Sequence, residues 1–230
     1  MRGAIMQPYF FPYIGYYQLA YEAEKFVFLD DVSFIKQGYI NRNSVLLGMK
    51  SHRFSLPVRD ASSYRAINEH VYVSDYRKFL KLLEQAYSRA PYYRDAMPVV
   101  EQVLLSGDEC VSRKNAASIT SVFDYLGLSR SFAFSSDDAF ASGLKGQDRV
   151  LALCREYGID QYRNSIGGRA LYSHEAFAGW GVELKFIRSG SVRYRQHADD
   201  FVANLSIIDA LMYIDRASIK DALSNYELID

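Results

Sequence analysis

Apolar residues fall along this chain in two rhythms: short unbroken runs, and longer stretches with the three-and-four spacing of a helix face. Residues 3–7, Gly-Ala-Ile-Met-Gln, read as a short buried strand. Pro8 and Pro12 bracket an aromatic turn, Tyr9-Phe10-Phe11; Ile14 to Glu24 then reads as a helix, and Phe26-Val27-Phe28-Leu29 as a second buried strand ending at Asp30-Asp31. Strand, turn, helix and strand in so short a span open a βαβ unit, which implies a parallel sheet. Residues 44–47 and 52–58 flank a turn containing Gly48 and predict a β-hairpin, and the polar residues 60–68 predict a loop.

A helical block follows. Phe79, Leu82, Leu83 and Ala86 take the i, i+3, i+4, i+7 positions of one face, with Ser74-Asp75 as the expected N-cap. Helices are predicted over about 92–105 and 112–126; in the latter Ile119, Val122, Phe123 and Leu126 repeat the spacing and Gly127 stops it. This block, about 74–127, predicts a helical subdomain within one domain spanning 1–230. Strand and helix then alternate again: strand 131–135, helix 146–156, strand 160–163, loop 164–168, helix 171–178, strand 182–187, and closing helices at 205–213 and 216–225. The expected fold is α/β and Rossmann-like: a mostly parallel sheet with a helical insertion and a β-hairpin.

Composition narrows the function. A chain of 230 residues buries a large core without needing a disulfide or a metal. Lysine plus arginine is 27 and aspartate plus glutamate is 27, so no long-range field draws nucleic acid or an anionic membrane. The opening MRGAIMQPYF is too short and too aromatic for a signal-peptide core, and no apolar run approaches the roughly 20 residues that span a bilayer. The expected location is the cytoplasm. Cys110 and Cys154 read as buried small hydrophobes in a reducing compartment. The 19 tyrosines suit a site lined by rings with polar tips, and equally a packed core.

Ligands of open α/β sheets bind at the carboxyl ends of the strands, and four such exits carry dense polar or aromatic groups. The first is Gln7-Pro8-Tyr9-Phe10-Phe11-Pro12-Tyr13-Ile14-Gly15-Tyr16, stiffened by two prolines, with Gly15 removing a side chain where a helix begins. It reads as a ligand-contacting turn or as a hydrophobic staple for that helix. The second runs from Asp30-Asp31 through Lys36 to Asn41-Arg42-Asn43. Its carboxylates can act as a base, orient a substrate or hold Mg²⁺, and Lys36 and Arg42 can meet a phosphate or carboxylate; a network of surface ion pairs is the alternative. The third is Asn164-Ser165-Ile166-Gly167-Gly168-Arg169-Ala170-Leu171-Tyr172, whose glycine pair can expose amides to an oxyanion, though it matches neither a Walker loop nor G-x-G-x-x-G. The fourth joins Tyr194 and Gln196 to Asp209, a carboxylate interrupting an apolar helix and therefore in need of partners. His52, His70, His174 and His197 form no zinc pattern, and no G-x-S-x-G elbow is present.

At these residues the sequence resembles the WbqC-like family. Ala4-Ile5-Met6-Gln7-Pro8-Tyr9-Phe10-Phe11-Pro12-Tyr13-Ile14-Gly15-Tyr16 matches the family's opening, followed in order by Asp30-Asp31-Val32, Lys36, Gly38, Asn41-Arg42-Asn43, Asp148-Arg149, Ile166-Gly167-Gly168, Leu171-Tyr172, Tyr194, Gln196 and Leu205-Ser206-Ile207-Ile208-Asp209. The chain departs near 197–204, where Val202-Ala203-Asn204 stands in place of an expected proline. The resemblance implies bacterial O-antigen or lipopolysaccharide assembly, and transfer of an acyl or aminoacyl group from a coenzyme A or acyl-carrier-protein thioester to a nucleotide-linked amino sugar. On that reading Asp30, Asp31 and Lys36 form the catalytic group. Gln7, Tyr9, Tyr13, Gly15, Tyr16, Asn41, Arg42, Asp148, Arg149, Asn164, Ser165, Gly167, Gly168, Tyr172, Tyr194, Gln196 and Asp209 bind substrate, and no metal is called for. Two other readings stay open. Tyr13-Ile14-Gly15-Tyr16 resembles a degenerate H-I-G-H element of nucleotidyltransferases with both histidines replaced, and a non-catalytic partner of a glycan-assembly enzyme fits the same composition.

Overall fold

The expected βαβ unit forms from β1 (Arg2–Met6), α1 (Ile14–Glu22) and β2 (Lys25–Phe28), with Ala4 opposite Phe26 in parallel register. The computed structural model describes residues 1–137 and 143–230. After β2 the chain makes a long excursion through the hairpin β3 (Arg42–Leu47) and β4 (Lys50–Ser55) and the helices α2 (Arg77–Tyr87), α3 (Tyr93–Leu104) and α4 (Val111–Leu126). It re-enters the sheet at β5 (Ser131–Phe134) and continues through α5 (Gly146–Glu156), β6 (Gln161–Ser165), α6 (His174–Gly179) and β7 (Glu183–Ser189). The last elements are α7 (Ile207–Tyr213), α8 (Arg216–Ser224) and β8 (Tyr226–Ile229).

The six-stranded sheet has the order β5-β2-β1-β6-β7-β8, parallel throughout except for β8, which pairs antiparallel with β7. Strand order reverses between β1 and β6, which places the topological switch point beside the exits of those two strands. Side chains alternate across the sheet. On one face Ala4, Phe26 and Phe28 join Phe10, Tyr17, Phe123 and residues of α2, α3, α7 and α8 in the larger core. On the other, Ile5, Val27, Tyr162 and Phe186 pack against Leu151 and Leu153 of α5 and Phe177 of α6. Residues of α2, α3 and α4, the predicted helical subdomain, share the larger core with β1 and β2. Among the described residues no helix is long and apolar enough to cross a membrane.

Local chemistry explains where boundaries differ from expectation. The hairpin turns on two residues, Gly48 and Met49, both left-handed at φ +56° and +64°, a pairing that matches strand twist. The helix expected from Ser74-Asp75 is instead entered at Tyr76, because Asp75 turns to Arg77, accepting from its Nε and Nη2 at 2.8 Å. The glycine-pair segment expected as loop extends β6 to Ser165 and then coils as a 3-10 turn over Ile166–Leu171; α6 starts only at His174, capped by Ser173. The last helix stops at Ser224, and Tyr226-Glu-Leu-Ile forms the unforeseen edge strand β8, too short for its alternation to stand out beside a helix pattern.

The Pro-bracketed turn carries the sharpest backbone. Phe11 holds φ +38°, uncommon for a residue with a side chain and costing about 1–3 kcal/mol. Three partners fasten it. Its N–H donates to Ser118 Oγ of α4 at 2.9 Å, while its carbonyl accepts from Asn43 Nδ2 of β3 at 2.8 Å and from Ser206 Oγ ahead of α7 at 2.7 Å. Removing the Ser118 hydroxyl strands a buried donor, so Ser118→Ala is expected to lower unfolding free energy by about 1–3 kcal/mol in denaturant titration. Ser224→Ala, on an exposed hydroxyl, is the control and should stay within about 0.5 kcal/mol.

Candidate functional site

Two adjoining hollows open on the carboxyl side of the sheet. The outer one, of about 360 Å³, is lined by Tyr9, Pro12 and Tyr13 of the first turn, Tyr39 and Asn43 of the hairpin approach, and Asn204. The inner one, of about 210 Å³, lies between the start of α1 and the irregular strap from Ser189 to Ile207. Tyr13 and Asn204 line both, so they form one stepped cleft. Tyr39 is 66% exposed and its ring stands 6.4 Å from Tyr9, which in turn lies 5.6 Å from Tyr16. With Tyr16 buried beneath it, Tyr9 joins Tyr13 and Tyr39 in lining the outer hollow with rings that end in hydroxyls. Burial raises the hydroxyls of Tyr9 and Tyr13 above their ordinary value, with the neighbouring Tyr13 and Tyr39 adding to the effect on Tyr9, so both stay protonated donors at neutral pH.

Gly15 has a steric reason. A Cβ there would lie 2.7 Å from Ser189 Oγ and would run into the Tyr13 ring, so a side chain would push α1 off the end of β7. Tyr16 is buried and donates to the Gln7 carbonyl at 2.8 Å, and Tyr9 reaches the Gln7 side-chain oxygen at 3.5 Å. Asn43 serves both wall and frame through its bond to Phe11. Asn41 donates to the Leu56 carbonyl at 2.7 Å and Arg42 to the Gly38 carbonyl at 2.9 Å, bracing the hairpin.

The adjacent aspartates divide. Asp30 is buried and saturated: its carboxylate accepts from Ser112 Oγ at 2.9 Å, Ser136 Oγ at 3.0 Å and Ser136 N–H at 3.1 Å, joining β2 to α4 and to the exit of β5. Burial raises its carboxyl above the ordinary value, and those three donors and the nearby Asp31 only adjust the result. Asp31 is partly exposed, accepts from Ser135 Oγ at 2.6 Å and pairs with Arg149 of α5. Asp148, beside it, is exposed in the first turn of α5. Asn164 is buried at the exit of β6, donating to the Tyr162 hydroxyl at 3.0 Å and accepting from Ser165 N–H at 2.6 Å. Gly168 lies against it, since a Cβ there would be 3.2 Å from Asn164 Cγ, and Gly167 is exposed. Tyr172 packs edge-on to Tyr162 at 5.8 Å. Lys36 is exposed in the turn closed by Gly38 N–H on the Ile35 carbonyl.

Asp209 is fully buried and holds the strap. It accepts from Tyr87 OH of α2 at 2.9 Å, Tyr194 OH at 2.8 Å and Gln196 Nε2 at 2.7 Å. Gln196 closes the strap on itself, accepting from Val202 N–H at 2.8 Å and donating to the Val202 carbonyl at 3.1 Å. Burial raises the Asp209 carboxyl against the three donors, and raises Tyr194 with help from the carboxylate. Through Tyr194, which lines the inner hollow, Asp209 is joined to the wall.

The segments therefore do not all meet in one hollow. Tyr9, Tyr13, Gly15 and Tyr194 line the cleft; Gln7, Asp31, Arg149, Asn164 and Ser165 form a polar row at the exits of β1, β2 and β6; Lys36 and Asp148 are exposed outside the cleft lining. The cleft also uses residues not ranked as site residues from the sequence: Tyr39, Asn43, Ser189, Arg193, Phe201 and Asn204. Asn204 had a signal. It stands in the segment that departs from the family pattern, and it adopts φ +58°, a left-handed conformation that asparagine tolerates well.

A family model described as the WbqC-like protein family matches residues 7–221. A protein of Mycobacterium tuberculosis (strain ATCC 25618 / H37Rv), "Uncharacterized protein Rv1507c", is 23% identical over 218 residues, covering 93% of this chain and 94% of that protein. No solved structure matches the chain.

Replacing Asp209 by alanine strands three buried donors and is expected to cost about 3 kcal/mol. Asp209→Asn adds a pH test. Because the folded carboxyl sits above 3.8, the folded protein binds this proton more readily than the unfolded chain. Wild-type stability should therefore gain on the asparagine variant as pH falls from neutral through the raised value, levelling off below about 3.8. Denaturant melts of both proteins across that range read it; a constant difference contradicts the assignment.

Proposed function

The chain belongs to the WbqC-like protein family, and from that premise and the geometry at the sheet's carboxyl edge we propose that it is a transferase of bacterial surface-polysaccharide (O-antigen) assembly. It moves an acyl or aminoacyl group from a coenzyme A or carrier-protein thioester onto the amine of a nucleotide-linked sugar. The observation that carries this reading is the stepped cleft walled by Tyr9, Tyr13 and Tyr39 with Asn43 and Asn204 at its rim. Sugar rings present one apolar face and a belt of hydroxyls, and tyrosine rings beside amide side chains complement both.

Chemistry at the amine needs a proton acceptor. Asp30 is saturated by its serine partners, whereas Asp31 is partly exposed at the same strand exit and one strand from Gln7. The sugar amine attacks the thioester carbonyl, a C–N bond forms, and the C–S bond breaks. The amine proton passes to the Asp31 carboxylate and from there to the departing thiolate. Arg149 keeps Asp31 oriented, and the Asn164–Ser165 exit stands beside Gln7 across the switch point to meet polar substrate groups.

The strand order itself favours a second reading, since a switch point between β1 and β6 is where nucleotides bind in sheets of this order. Nucleotidyl transfer at the Tyr13-Ile14-Gly15-Tyr16 turn would then release pyrophosphate from ATP or CTP. A flat calorimetric titration with either nucleotide and Mg²⁺ removes it.

For the transferase, the assay is mass-spectrometric detection of acylated product from a nucleotide amino sugar and acyl thioesters. Asp31→Asn is expected to lower kcat by at least about 100-fold, the lower range for loss of a general base. Undiminished turnover by this variant ends the assignment of Asp31. Tyr39→Ala should raise KM about 2- to 10-fold with kcat nearly unchanged, as loss of one ring contact implies.

A further inference from the structure

The inner hollow differs chemically from the outer one. Its walls include hydroxyls of Ser189, Ser191 and Ser206, a single charged side chain, Arg193, and no carboxylate. Arg193 is exposed, its guanidinium lies over the Phe201 ring at 5.9 Å from the centroid, and no ion pair to it is found among the described residues. Asp199 and Asp200 lie on the same strap but outside the lining. Asp209 sits behind Tyr194, its carboxylate saturated by three donors. α1 begins on the opposite wall, so its dipole adds the same sign of potential as the arginine.

We propose that this inner hollow is the seat of a phosphate or diphosphate group, held by Arg193 against the serine-lined wall while the attached ring lies against Tyr9, Tyr13 and Tyr39 of the outer hollow. The inference rests on the sugar-binding reading of the outer cleft and names what that reading leaves open: which residues seat the ligand's phosphates and the direction in which it lies. A lone cation over an aromatic ring, facing a pocket without carboxylates, is an uncompensated positive site. A guanidinium meets a phosphate through two parallel N–H donors, and the Ser189 and Ser191 hydroxyls supply further donors to the remaining oxygens, the Ser206 hydroxyl being committed to the Phe11 carbonyl. The step between hollows, shared by Tyr13 and Asn204, fixes the ligand's orientation: anion inward beneath the strap, ring outward over the tyrosines. The strap's closure by Gln196 and its tether to Asp209 through Tyr194 fix the backbone that carries Arg193.

Isothermal titration of the full chain with uridine diphosphate, inorganic pyrophosphate, uridine diphosphate N-acetylglucosamine, free N-acetylglucosamine and glycine tests this. The diphosphates should bind, and Arg193→Ala should weaken them at least about 10-fold, as loss of a charged hydrogen bond implies. Arg193→Lys should keep part of the affinity, and raised salt should weaken wild type more than Arg193→Ala. Free N-acetylglucosamine should not distinguish wild type from Arg193→Ala. If glycine binds through Arg193 and pyrophosphate does not, the inner hollow takes a carboxylate and the inference fails. It fails equally if diphosphates do not bind at millimolar concentration, or if Arg193→Ala binds them as wild type does. The sugar reading is judged separately: it survives if Tyr39→Ala weakens the sugar ligands, and falls if that variant leaves them unchanged.

Discussion

The strained backbone at Phe11 is the constraint on which the site depends. A positive φ at an aromatic residue persists only when its surroundings over-determine it. Here helix α4, the hairpin and the approach to α7 each contribute a hydrogen bond to this one peptide region. The neighbouring carbonyls repeat the arrangement. Pro8 and Ile40 both accept from the Asn115 side chain, and Pro12 accepts from Ile207 N–H. With the turn pinned on three sides, Tyr9 and Tyr13 project from a fixed base, and the cleft they wall is preorganised.

Much of this was legible in the chain. The parallel sheet followed from buried runs alternating with helix-spaced stretches, and Phe26, Val27 and Phe28 fall on alternate faces as a strand with both sides covered requires. The density of polar groups at strand exits pointed to the carboxyl edge of the sheet, where the two hollows lie. What stayed hidden was pairing across distance. Nothing local in Asp30-Asp31 tells which carboxylate will meet Ser112 and which Arg149, because those partners lie 82 and 118 positions away. Arg193 was equally silent, since an irregular strap has no periodicity to read and its shape is set by Gln196 folding back on Val202. The edge strand β8 was missed for a related reason: four residues after a helix carry too little pattern to outweigh it.

The buried carboxylates share a logic. Asp30 and Asp209 both interrupt apolar surroundings, both sit above their ordinary carboxyl value through burial, and both are answered by neutral hydroxyl or amide donors in place of a cation. Such groups contribute geometry more than energy, because desolvation opposes what the hydrogen bonds return. Each joins elements that apolar packing alone would leave free to slide: Asp30 ties strand ends to α4, and Asp209 ties α7 and α2 to the strap. The charged partner is reserved for Asp31, the member of the pair that faces solvent.

The origin of the cleft walls has a consequence for how the molecule comes into being. The outer and inner hollows draw on residues 9–15, 39–43 and 189–210, so segments far apart in sequence supply opposite sides. The wall built by residues 9–15 and 39–43 stays unmatched until residues 189–210 have been synthesised and have folded against it. A molecule seated between them would bind the folded state alone and clasp the two segments together, favouring that state by mass action.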